Sequence, residues 1–154
     1  MSTETSADTD RGVDQQRRIV VGVDGSPSSL EALRWAVEQA RLWDAAVDAV
    51  ITWEYPTSFG WAAPEPVDSQ YGAIAEKVLS ESIAELADTD RPVDIHQRVL
   101  LGNAAQGLLD AARRADLLVV GSRGYGGFAR ALLGSASQQC VQHAPCPVVV
   151  VRHK

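Results

Sequence analysis

Lysine is nearly missing from this chain: Lys77 and Lys154 are its only two, and neither follows a glycine-rich segment as the lysine of a Walker loop would. A dedicated nucleotide triphosphatase needs a placed cation and a water-orienting group, so efficient turnover is not expected. Cysteine is as scarce. Cys140 and Cys146 lack the CxxC spacing, and no His or Cys cluster would complete a tetrahedral shell, which excludes a structural zinc site and a disulfide framework. Two thiols in a reducing cytoplasm are the expectation. His96, His143 and His153 are dispersed, and spacing suggests no Ser or Cys partner for any of them. Basic clusters are missing too: 14 Lys and Arg against 20 Asp and Glu give a net charge of −6, which argues against a nucleic-acid partner. No apolar run is long enough to span a bilayer.

What is present is the material of one α/β domain. The 154 residues are 45% hydrophobic and 22% charged, enough to build a core without staples. Residues 1–16 are rich in Ser, Thr, Asp and Gln and carry Glu4, Asp8, Asp10 and Asp14, so a disordered tail is expected there. With neither a basic start nor an apolar stretch, the segment does not read as a secretory signal. The domain is expected over 17–152.

Within it, strand-like and helix-like segments alternate. Ile19 to Val23 is a β-branched run of buried-strand type. Ser26-Pro27 then supplies a cap and a first-turn proline for a helix whose Leu30, Leu33, Val37 and Ala40 share one face. A second strand covers about 46–53. Residues 54–70 hold three prolines and a glycine and read as a long loop, either a binding lid or a surface insertion. A helix over about 71–87 should turn Ile74, Val78, Ile83 and Leu86 inward. A strand over 92–100 and a helix capped by Asn103 and running to Arg114 follow. Then come a buried strand at 117–120, a helix over about 128–143 that could instead start near Ser135, and a last strand at 147–152. Such alternation predicts a single doubly wound, Rossmann-like parallel sheet of five strands, ordered 3-2-1-4-5 with helices on both faces. Ligands bind such sheets where the winding reverses, beyond the carboxyl ends of strands one and four. That places Val23, Asp24, Gly25 and Ser26 opposite the run Gly121 to Gly127.

The second segment is chemically unusual. Gly121-Ser122-Arg123-Gly124-Tyr125-Gly126-Gly127 directly follows a buried strand, and its glycines would let backbone N–H groups approach an anion. By itself such a loop could be no more than a flexible turn. Gly134-Ser135-Ala136-Ser137, however, puts a glycine where a helix would tolerate one poorly, and adds two hydroxyls suited to phosphate oxygens. Small-residue packing is the other reading of that tetrad. Arg123 could pair with phosphate or point to solvent.

Gly121, Gly124, Gly134 and Ser135 together fit G-x2-G-x9-G-[ST], and the chain thereby resembles the ATP-binding branch of the universal stress protein family. Ile19 to Ser26 is similar to that family's first strand and acidic turn, and Ala144 to Arg152 to its last strand, so the resemblance spans about 17–152. It implies ATP as ligand, with Asp24 against the nucleotide or helping to hold Mg²⁺ near the phosphates. It also implies adenine contacts from backbone groups near Thr52, and a homodimer through the strand at 147–152. A nucleotide-dependent regulatory protein that an unknown protein partner reads is the leading expectation. A weak ATPase or phosphotransferase, and a partner-binding module with a vestigial site, are the alternatives.

Overall fold

The β-branched runs form the centre of the molecule because they are apolar on both sides and need cover on both. The computed structural model describes residues 16–54, 68–86, 92–123 and 134–153. Strands β1 (Arg18–Gly22), β2 (Ala46–Trp53), β3 (Ile95–Leu101), β4 (Leu117–Gly121) and β5 (Val148–Val151) pair in parallel in the order β3-β2-β1-β4-β5. The expected topology is therefore the observed one. Helices α1 (Pro27–Trp43), α2 (Asp68–Ala84), α3 (Ala104–Ala111) and α4 (Ser135–His143) lie between consecutive strands. None of them is long and apolar enough to cross a membrane.

Strand alternation divides the core in two. Ile19, Val21, Val47, Ala49, Leu117 and Val119 pack on one face under α1 and α2; Val20, Val50, Leu118 and Val120 pack on the other under α3 and α4. β1 and β4 sit mid-sheet, β4 buried along its length and β1 at its three central residues, whereas β3 and β5 are the edges. All four valines of β5 are only half-buried, and the outer side chains of β3 (His96, Gln97 and Arg98) are exposed.

Helix boundaries follow local chemistry. The Ser26 hydroxyl caps α1 by accepting from the Ser29 N–H, Pro27 opens the helix, and Asp44 closes it in the left-handed conformation. Asn103 caps α3, its Oδ1 accepting from the Gln106 N–H at 3.0 Å.

Several expectations shift. α1 buries Ser28, Ser29 and Ala32 in its first turns, and Leu30 is only partly covered. α2 begins at Asp68, inside the segment read as loop, and ends at Ala84. Its deepest side chains are Ala75, Leu79 and Ser82; Val78, Ile83 and Leu86 flank them, and Ile74 is 53% exposed. The buried stripe of α2 thus runs through Ala75, Leu79 and Ser82, beside the stripe marked by its other large apolar side chains. α3 stops at Ala111 and a 3-10 turn, Ala112–Arg114, completes it. β3 begins at Ile95, not at Pro92. The last helix starts at Ser135, the later of the two starts considered; residues 124–133, most of the loop at 54–70 and residues 1–15 lie outside the described residues.

One buried charge has no counterpart in the sequence reading. Asp48 on β2 is nearly inaccessible, and the Arg18 guanidinium donates to both of its oxygens at 2.8 and 2.9 Å. Arg18 also donates its backbone N–H to Asp116 at 2.9 Å, so this network ties β1, β2 and the start of β4 at the amino ends of the strands. It lies at the opposite end of the sheet from the segments that carry the glycines.

Candidate functional site

At the carboxyl ends of β1 and β4 the chain leaves the sheet toward opposite faces, and a cleft of about 290 Å³ opens between the departing segments. β1 makes its last bond to β2 when the Val23 N–H donates to the Val50 carbonyl at 2.8 Å. Past that point Gly25 takes φ +83, a value that glycine reaches without strain, and the chain turns into α1. Asp24 is fixed within this turn: Oδ1 accepts from the Ser26 N–H at 2.8 Å, and its own N–H donates to Ser29 Oγ at 3.1 Å. Its other oxygen has no partner among the described residues, so the turn-forming role leaves a carboxylate edge toward the cleft.

On the other side β4 ends at Gly121. A Cβ there would lie 2.5 Å from Ser28 Oγ and 2.7 Å from the Ser28 carbonyl carbon. The absence of a side chain at Gly121 thus admits the first turn of α1, and close approach of a ligand is not its first requirement. The next two N–H groups are also committed inside the protein. Ser122 donates to the Val151 carbonyl at 2.8 Å and Arg123 donates to Ser28 Oγ at 3.3 Å. The expectation that these amides form an anion nest is corrected for both positions.

Donors without a partner among the described residues lie instead at the start of α4. Gly134 is its N-cap with no side-chain cap; its N–H goes to the Ser122 carbonyl at 2.7 Å and its carbonyl accepts from Gln138. The backbone N–H groups of Ser135, Ala136 and Ser137 therefore precede the first helical acceptor, at the positive end of the helix. The Ser137 hydroxyl is already donated to the Gly121 carbonyl at 2.5 Å, so it closes α4 onto β4 and keeps only acceptor capacity. Ser135 is exposed at the cleft rim.

The remaining wall is apolar. Val50, Ala104 and Leu108 line it, with Gly22 at its floor. Gly107 packs so closely that a Cβ would stand 2.8 Å from Thr52 Cγ2, which fixes the Thr52 side chain. Because alternate residues of a strand present their polar groups to the same side, the Thr52 N–H and carbonyl face the notch beyond β1, as the Val50 carbonyl faces β1 itself. The cleft thus has an apolar end with a donor and acceptor pair, and a polar end with unpaired amides. Its charged lining side chains are Asp24 and Arg123. Among the described residues no three His, Cys, Asp or Glu side chains gather as a metal site.

Of the residues singled out from the sequence, Val23, Asp24, Thr52, Gly121, Arg123, Gly134, Ser135, Ala136 and Ser137 line this cleft. Gly25 and Ser122 do not, and Gly124 and Gly127 lie outside the described residues. The reading missed Gly22, Ser29, Val50, Ala104, Leu108 and Val120. Two were reachable: Val50 is two residues before Thr52 on the same strand face, and the Asn103 cap puts Ala104 in the first turn of α3.

Comparison with known proteins agrees with this architecture. The profile of the universal stress protein family matches residues 16–152. A universal stress protein of Methanocaldococcus jannaschii is 32% identical over 148 residues, covering 92% of this chain and 85% of that protein. The chain spans about half the length of the mycobacterial universal stress proteins it matches, such as one of Mycobacterium tuberculosis at 32% identity and 51% coverage. Among solved structures, UspA from Lactobacillus plantarum superposes with a TM-score of 0.74 at 25% identity, over 89% of this chain and 98% of that one. A universal stress protein in complex with cAMP superposes with a TM-score of 0.58 at 26% identity, over 90% and 98%.

Proposed function

This chain belongs to the universal stress protein family, and from that premise we propose that it holds ATP in the cleft between β1 and β4 as a nucleotide-dependent regulatory protein. The observation that carries this reading is the division of the cleft. The three unpaired amides of α4 suit phosphate oxygens, and they lie across from an apolar wall that ends in the Thr52 backbone pair. Adenine fits the apolar end, where the Thr52 N–H and carbonyl match its ring nitrogen and exocyclic amine. Gly121, Gly134 and Ser135 supply the described part of the G-x2-G-x9-G-[ST] spacing, and a relative of this fold at 26% identity is in complex with an adenine nucleotide.

Asp24 serves the ribose hydroxyls or, with the phosphates, a Mg²⁺ ion. A single carboxylate edge fits that ion, which usually keeps several waters and takes one or two carboxylates beside the phosphates. We assign the site to holding the nucleotide and not to efficient hydrolysis, since its donors are backbone amides and the Arg123 side chain, and no lysine is placed by the loop. The half-buried valines of β5 fit a second copy pairing along that edge, which gives a homodimer whose geometry a protein partner could read.

The test is to denature the gently purified protein, identify released nucleotide, and then measure ATP binding by calorimetry for wild type and Ser135→Glu. An acidic residue in the first turn favours the helix end but repels phosphate. Melting temperature should hold or rise while ATP affinity falls at least tenfold. Undiminished ATP affinity in Ser135→Glu would refute the placement of the phosphates at α4.

A further inference from the structure

The first turn of α1 grips the root of the glycine loop with two serines that do not line the cleft. Ser28 Oγ accepts from the Arg123 N–H at 3.3 Å, and Ser26 Oγ donates to the Arg123 carbonyl at 3.5 Å. Both backbone polar groups of one residue are thus held by hydroxyls of the opposite lip. Ser28 is buried and reaches further: its hydroxyl lies 3.4 Å from Ser122 Oγ and 3.4 Å from the Val151 carbonyl at the end of β5. That carbonyl also accepts from the Ser122 N–H at 2.8 Å. Gly121 has no side chain where Ser28 enters, so the grip depends on that glycine.

We propose that Ser28, with Ser26, is a positioning residue that fixes Arg123 and so pre-organises the phosphate end of the cleft. This rests on the ATP-holding reading and adds a residue behind the site to it. The physical reason is entropic. The Ser122 carbonyl accepts from the Gly134 N–H at 2.7 Å, so a backbone already fixed at Ser122 and Arg123 also fixes the start of α4 and leaves less freedom to be lost in the binding step. The consequence is selective. Ser28 acts on the cleft through Arg123, which lines it, and has no contact with the wall formed by Thr52, Ala104 and Leu108 among the described residues. Its loss should weaken ligands in proportion to their phosphates and leave adenosine alone.

The experiment compares ATP and adenosine binding by calorimetry for wild type and Ser28→Ala, with circular dichroism and a thermal melt on each. ATP affinity should fall about fivefold, the scale of one hydrogen bond, with adenosine affinity within twofold of wild type. A parallel fall for both ligands would mean a merely structural role and would overturn the assignment, as would unchanged ATP affinity. Wild type that binds no adenine nucleotide would sink the ATP reading itself. Limited tryptic cleavage after Arg123 in the ligand-free protein then gives an independent reading: faster cleavage in Ser28→Ala supports the clamp, and an equal rate refutes it.

Discussion

Replacing Gly121 by alanine tests the closest approach in the structure. The new Cβ would stand 2.5 Å from Ser28 Oγ, 2.7 Å from the Ser28 carbonyl carbon and 2.8 Å from its oxygen. Rotation of Ser28 could relieve the first contact, but the other two belong to backbone. Restoring ordinary van der Waals distance requires the first turn of α1 to retreat by about 0.7 Å, which stretches every hydrogen bond from Ser26 and Ser28 to Arg123. Overpacking of this kind costs ~1–3 kcal/mol, and contact with an anchored backbone places Gly121→Ala near ~3 kcal/mol. For a domain of this size that is a fall of roughly 6–12 °C in melting temperature. Gly22→Ala is the control. Its Cβ would meet Leu108 Cδ1 at 2.9 Å, the far end of a side chain that can rotate, so ~1 kcal/mol is expected. Thermal and urea unfolding of both variants measure the difference. The double variant Gly121→Ala with Ser28→Ala should recover only part of the loss, since the backbone contacts persist. The reasoning fails if Gly121→Ala melts no lower than Gly22→Ala, or if the double variant recovers wild-type stability.

Three further outcomes follow from groups away from the cleft. Asp48→Ala removes the acceptor of Arg18; because the Arg18 side chain is 37% exposed and can be rehydrated, a loss of ~2 kcal/mol in urea unfolding is expected, below the ~3–5 of a fully enclosed pair. An unchanged midpoint would show that the pair adds nothing. Burial, with Cys146 nearby, pushes the Cys140 thiol up from 9.0 to about 11, and burial with Asp116 nearby raises Cys146 as well. Folded thiols that keep their protons longer than unfolded ones contribute stability fully below pH 9.0, and that contribution is lost as pH rises toward about 11. The stability of wild type relative to Cys140→Ala should therefore shrink over that window, and a constant difference would contradict it. Native protein near neutral pH should also alkylate with iodoacetamide far more slowly than protein unfolded in urea.

Much of the architecture was legible because it depends on short-range pattern. Uninterrupted β-branched runs, the Ser26-Pro27 cap and the Asn103 cap are local signals, and each lies where an element begins. α2 was read less well, since Ile74 looks like a core residue by size. Which stripe of a helix meets a sheet is decided by how closely its small residues let the two approach, and Ala75 and Ser82 win that contest. Asp48 was overlooked for a related reason: a carboxylate in an apolar strand is tolerated only if a distant cation reaches it, and Arg18 lies thirty residues away in sequence.

By itself, the sequence determined the order of elements, the parallel topology and the two segments that meet at the winding reversal. Those follow from periodicity, from caps and from the handedness of crossovers, all of which act along the chain. Tertiary structure alone decided what Gly121 and the described serines do there. Gly121 yields space to Ser28, Ser137 gives its proton to Gly121, and the amides of Ser122 and Arg123 are taken by β5 and α1. A hydrogen-bond donor faces a ligand only if no nearer acceptor claims it. That competition is settled between segments well separated in the chain, by nearly a hundred residues for α1 and Arg123, once packing has brought them within 3.5 Å.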